Sequence, residues 1–122
     1  MGYYTRYSGE IHIEPPLTWT EAKSGPGLQD LRLRTVEHGF QTDEGRSVTV
    51  TASAVMPLTD QPYKGYDIIE ELQALVDAHG KRHEFIGHIE ALGEQPYDMW
   101  RLMVKGGKAV KVKPRIVWDE GE

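Results

Sequence analysis

The chain has 122 residues, with 14 Lys and Arg against 19 Asp and Glu, a formal net charge of −5. Cys is absent, which excludes disulfides, thiolate zinc sites, iron–sulfur clusters and a cysteine nucleophile. No apolar run exceeds three residues, far short of the roughly 20 that a membrane-spanning helix takes. The length suits one domain over residues 1–122. Leu, Ile, Val and Phe make up 27 of the 122 residues, enough for a folded chain with a thin core. The opening Met1-Gly2-Tyr3-Tyr4-Thr5-Arg6 lacks the apolar stretch of a signal peptide, so the chain reads as a soluble cytoplasmic protein.

Taken in chain order, Tyr3 to Glu14 alternates as a strand does, with Tyr7, Gly9, Ile11 and Ile13 on one side and Arg6, Ser8, Glu10, His12 and Glu14 on the other. Pro15-Pro16 is expected to stop it, because neither residue has an N–H to donate. Thr18-Trp19-Thr20-Glu21 spells a capping box for a short helix that Gly25-Pro26-Gly27 must end. Leu28 to Phe40 and Ser47 to Met56 read as two strands joined by the turn Thr42-Asp43-Glu44-Gly45, a hairpin. Pro57 to Gly65 is a loop.

Asp67 to His79 is the best helix, with Asp67 as N-cap and Glu70 at N3. Ile68, Ile69, Leu72, Leu75 and Val76 form one apolar face, and Gly80 suits a left-handed stop. Glu84 to Leu92, Met99 to Val104 and Ala109 to Trp118 read as three further strands with short turns, hence antiparallel neighbours. The expected fold is α+β: an antiparallel sheet of about five to six strands with one main helix packed on one face.

The opening Met1 to Ile11, Pro15-Pro16-Leu17-Thr18-Trp19, Lys64-Gly65-Tyr66 and the closing Ala109 to Trp118 together are distinctive. In these stretches the chain resembles a family of small uncharacterised proteins from actinobacteria and their bacteriophages. A looser likeness, carried by Gly87, Glu90, Gly93, Glu94, Asp98, Trp100 and Arg101, extends to other small phage proteins that begin Gly-Tyr-Tyr-Thr-x-Tyr. Where many of those have Trp-Tyr-Asp-His, this chain has Gly65-Tyr66-Asp67-Ile68, so no role passes to a histidine there. The resemblance implies a phage or prophage accessory gene and supplies no catalytic residues.

The residues themselves carry no Walker A loop, Gly-x-Ser-x-Gly elbow, His-Glu-x-x-His helix or dinucleotide fingerprint. Glu21-Ala22-Lys23 spells a nuclease-like Glu-x-Lys, but on a short helix rather than a strand. Glu10, His12 and Glu14 share a strand face and offer metal-ligand chemistry; alternation produces such triplets freely, and the triplet reads as a solvated face. His79 and His83 flank Gly80 and are not expected to share a face; His38 and His88 have no ligand-like neighbours. No metal, cofactor or catalytic set is therefore expected. Tyr3, Tyr4 and Tyr7 can stack on a base or anchor a partner, although strand aromatics more often pack. Trp100 and Trp118 are expected to pack within strands, and Trp19 to plug one end of the sheet.

One charge feature stands out. From Arg101 to Arg115 there are six basic residues and no acid: Arg101, Lys105, Lys108, Lys111, Lys113 and Arg115. Lys111, Lys113 and Arg115 alternate and should line one face of the last strand, with Arg101 joining from its neighbour. Such a stripe suits an acidic protein partner, or a nucleic acid or nucleotide; lysines also guard a sheet edge. The expectation is a non-enzymatic phage or prophage accessory protein, a binding module for a host protein or a phosphate-bearing ligand. The alternative is a phage assembly protein that oligomerises through its sheet edge. The sequence leaves the oligomeric state open.

Overall fold

The computed structural model describes residues 3–119. The elements are β1 (Arg6–Thr18), α1 (Trp19–Ser24), β2 (Leu31–Thr42), β3 (Gly45–Pro57), α2 (Ile68–His79), β4 (Glu84–Leu92), β5 (Met99–Lys105) and β6 (Lys108–Val112). The six strands form one antiparallel sheet in the order β2-β3-β1-β4-β5-β6, with two short helices; this is α+β in the broad sense. No helix among the described residues is long and apolar enough to cross a membrane.

β1 lies inside the sheet between β3 and β4, and its side chains alternate cleanly. Tyr7, Ile11, Ile13 and Leu17 are buried, while Ser8, His12 and Glu14 are exposed. Register carries that division across the sheet. Ile13 faces Phe85, Tyr7 faces Ala91 and Ala91 faces Trp100, all buried on the same side. Ile68, Leu72, Leu75 and Val76 of α2 belong to the same buried cluster. Each such side chain contributes roughly 1.5–3 kcal/mol when it leaves water. On the opposite side of the sheet, Glu10 lies 3.3 Å from Arg34 of β2.

Several boundaries differ from those read in the sequence. β1 runs through Pro15-Pro16 instead of stopping there. Pairing to β4 ends at Glu14, and pairing to β3 jumps between His12–Ala54 and Leu17–Ala52, so neither proline faces a carbonyl that needs its missing N–H. The Glu14–Pro15 bond is cis. β6 ends at Val112 rather than Trp118, because Pro114 cannot donate to a ladder. Trp118 is accordingly exposed rather than packed, and Trp19 is half-exposed beside β3. Trp100 is buried, as expected for a mid-strand aromatic. β2 and β3 meet as the expected hairpin, and a register shift between Arg34 and Thr35 accounts for the imperfect alternation of β2.

At α2, Asp67 occupies the N-cap position without a side-chain cap bond; its own N–H donates to Asp30 Oδ2 at 2.8 Å. Gly80 is right-handed (φ −63°), not left-handed. The chain keeps turning past it, and His83 N–H donates to the His79 carbonyl at 3.1 Å. α2 ends at His79, so the two histidines share no helical face, yet that extra turn brings their imidazoles to a centroid separation of 6.2 Å.

Candidate binding surface around strand β6

The six basic residues do not form one row. Arg101 pairs with Val112 and Lys111 pairs with buried Leu102. Neighbouring residues of a strand point to opposite faces, so Lys111 stands on the face that holds the core and Arg101 on the other. The Lys111 ammonium lies 4.6 Å from the Trp100 ring centroid, a cation–π contact. Lys105 and Lys108 oppose each other at the β5–β6 turn, where Gly106 and Gly107 both take positive φ. Lys113 lies beyond the strand, where pairing no longer imposes alternation, and shares a groove with Arg101. Arg115 is exposed in the segment that follows. The charges thus surround an edge strand on both faces instead of lining one.

β6 is the last strand of the sheet, so alternate residues turn their backbone groups away from β5. Ala109 is one of them. Its N–H donates to Gln73 Oε1 of α2 at 2.8 Å, while Gln73 Nε2 donates to the Gly107 carbonyl at 3.1 Å. The same alternation turns the Lys111 N–H and C=O outward.

Two depressions flank this end of β6. The first is a groove of about 270 Å³ lined by Glu90, Met99, Trp100, Arg101, Val112, Lys113 and Pro114. The second is a cleft of about 240 Å³ lined by Tyr3, Thr5, Tyr7, Gly65, Tyr66, Asp98, Trp100 and Lys111. Its parts come from distant segments. Thr5 and Tyr63 exchange backbone hydrogen bonds at 3.0 Å, which lays the 63–66 loop beside β1. Tyr7 packs at 5.0 Å from Tyr63 and 6.1 Å from Trp100, ring to ring. A Cβ on Gly65 would stand 2.6 Å from the Tyr7 hydroxyl, so only glycine lets that backbone close in. Tyr3 donates its hydroxyl proton to the Asp98 carboxylate and accepts from Gln95 N–H at 3.1 Å. A Cβ on Gly93 would collide with both partners of that Tyr3–Asp98 contact.

The hydrogen bond to Asp98 raises the Tyr3 pKa above 10.0, and burial raises that of Tyr7. Tyr63, whose hydroxyl donates to the Asp30 carbonyl at 2.6 Å, is pushed up to about 12, chiefly by burial. These phenols are hydrogen-bonding groups at neutral pH. Sequence alone puts Tyr3 and Tyr7 forward as candidates but gives no role to Tyr66 or Asp98. Gly65, Tyr66, Gly93 and Asp98 do lie within the stretches that carry the resemblance, which is the signal that points toward them.

The remaining candidates stand away from this surface. Glu10 sits 3.6 Å from His12 and also faces Arg34 on an exposed sheet face. Glu21 completes the capping box, its Oε1 3.0 Å from Thr18 N and its own N–H 3.1 Å from Thr18 Oγ1. The buried His79 keeps a lowered pKa, mainly through desolvation. Among the described residues no group of three or more His, Asp or Glu is placed to hold a metal ion.

The whole chain, residues 1–122, matches the profile of DUF6205, a family of unknown function. No curated protein and no solved structure matches it. The chain belongs to the DUF6205 family.

Proposed function

We propose that the protein is a non-enzymatic binding module that takes an extended acidic segment of a partner protein as an added strand on β6. The observation that carries this reading is the outward-facing Lys111 backbone of an edge strand, with a groove on one face and a cleft on the other. An added strand sends successive side chains to the two faces, so main-chain bonds supply affinity and flanking pockets supply specificity. Arg101 and Lys113 at the groove and Lys111 at the cleft favour acids in the incoming segment. Met99, Val112 and Pro114 offer apolar contact to the residues between.

The test is a titration of the full chain with synthetic peptides of alternating apolar and acidic residues, followed by amide NMR. The expected result is saturable shifts over Lys111 to Pro114 and slowed exchange of the Lys111 amide. Lys111→Glu with Arg101→Glu should weaken binding at least tenfold, which corresponds to about 1.4 kcal/mol. Shifts confined to another surface would overturn the reading. So would tighter binding of labelled single-stranded DNA than of any peptide, because that points to general polyanion affinity.

A further inference from the structure

We infer that the C-terminal segment of a second copy of this chain occupies the β6 edge. This rests on the edge-binding reading above and names its partner. Ile116, Val117 and Trp118 are 85%, 82% and 81% exposed, three adjacent large apolar side chains left in water. β-Branched and aromatic residues of this kind favour an extended, paired backbone. The residues after them are Asp119, Glu120, Gly121 and Glu122, three acids in four positions. An extended, strand-prone, acidic segment is what the cationic surround of β6 selects, and the chain itself carries one.

Residues 113–119 do not extend the sheet as a strand. β6 stops at Val112. Pro114 lacks the N–H that a direct continuation of the ladder would use. Exchange between two copies removes both deficits together: each edge gains a strand and each apolar tail gains cover. Donor and acceptor sit on every copy, so the exchange closes as a two-fold dimer with self-complementary surfaces. Each copy carries a net charge of −5, so the attraction comes from local complementarity of acidic tail and basic rim and must weaken with salt.

The experiment is light scattering on the full chain from low micromolar to hundreds of micromolar, at low and high salt. The expected result is a shift from monomer to dimer mass with concentration, suppressed by salt. Trp118→Ser removes the largest of the three apolar side chains of the tail, and Lys111→Glu reverses the rim beside the edge. Both residues are exposed, so thermal unfolding should confirm that the variants remain folded. Each variant should raise the dissociation constant about tenfold or more. A mixed pair has one intact tail–edge contact and one that carries both changes, so an equimolar mixture should associate more strongly than the weaker variant alone. A chain that stays monomeric at all concentrations overturns the inference, whether its tail is free or folded on its own edge. A dimer untouched by both substitutions also overturns it. Peptide titration of the Trp118→Ser variant, where the native tail competes less, separates the two levels: peptide binding by a chain whose parent is monomeric at all concentrations leaves the edge reading standing and removes this one.

Discussion

His83 Nε2 lies 2.9 Å from Glu21 Oε2. The other ring nitrogen, Nδ1, lies 2.6 Å from the Pro15 carbonyl oxygen. Both ring nitrogens thus stand at hydrogen-bond distance from an oxygen, one on β1 and one on α1. The ring thereby ties β1 and α1 to the start of β4. Glu21 meanwhile caps α1 through Thr18, so a single carboxylate serves the helix start and the histidine together.

These contacts give Glu21 a part in the acid limb of stability. The hydrogen bond from Thr18 N–H, followed by that from His83, lowers the Glu21 pKa from 4.5 to about 2. A carboxyl depressed in the folded state contributes its full stability above the unfolded value and loses it as pH falls through the folded one. The contribution of Glu21 should therefore be complete above pH 4.5 and vanish as pH approaches about 2. Glu21→Gln should be less stable than the parent at neutral pH, with the gap closing across that window. Urea midpoints measured against pH check this; a gap that stays constant down to the lowest pH would contradict it.

Leu72 is fully buried against the sheet cluster. Leu72→Ala should lower stability by about 2–5 kcal/mol, because the lost transfer energy and the cavity add. Denaturant unfolding with an unchanged m-value is the measurement.

Glu71 of α2 holds the start of β2. Its carboxylate accepts from the N–H groups of Gln29 at 3.0 Å, Asp30 at 2.9 Å and Leu31 at 3.1 Å. Glu71→Ala leaves the part-buried donors of Asp30 and Leu31 without their acceptor and should cost about 2–4 kcal/mol. The exposed neighbour change Glu70→Ala should move stability by less than about 0.5 kcal/mol. Equal effects of the two in thermal unfolding would remove the role assigned to Glu71.

Gly65→Ala places a methyl 2.6 Å from the Tyr7 hydroxyl, and Tyr7 is wedged between Tyr63 and Trp100. The change should destabilise by about 1–3 kcal/mol through overpacking. At Gly27 a methyl would meet no heavy atom within 4 Å, so Gly27→Ala should be neutral or slightly stabilising. Differential scanning calorimetry of the pair distinguishes steric closure at the cleft from a general intolerance of loop glycines.

Features that depend on neighbours along the chain are legible in the sequence. The Thr18–Glu21 capping box, the helix that carries Leu72 and Leu75, the β2–β3 hairpin and the alternation of β1 all follow from local hydrogen-bonding and a periodic apolar pattern. Features that depend on register and on the choice of neighbouring strand arise with the folded sheet. Alternation says which residues of one strand share a face, but not which residues of the next strand join them. Arg101 and Lys111 therefore read as one stripe and stand on opposite faces, separated by the pairing of Arg101 with Val112. Pro15-Pro16 reads as a stop, and becomes part of β1 because the ladder to β3 shifts register across it. Tyr3, Gly65, Asp98 and Lys111 carry no common pattern, yet they line one cleft. Their meeting depends on long-range pairing, Thr5 with Tyr63 and β1 with β4, whose cost is loop-closure entropy and whose return is buried area. Neither quantity is written in a local stretch of residues.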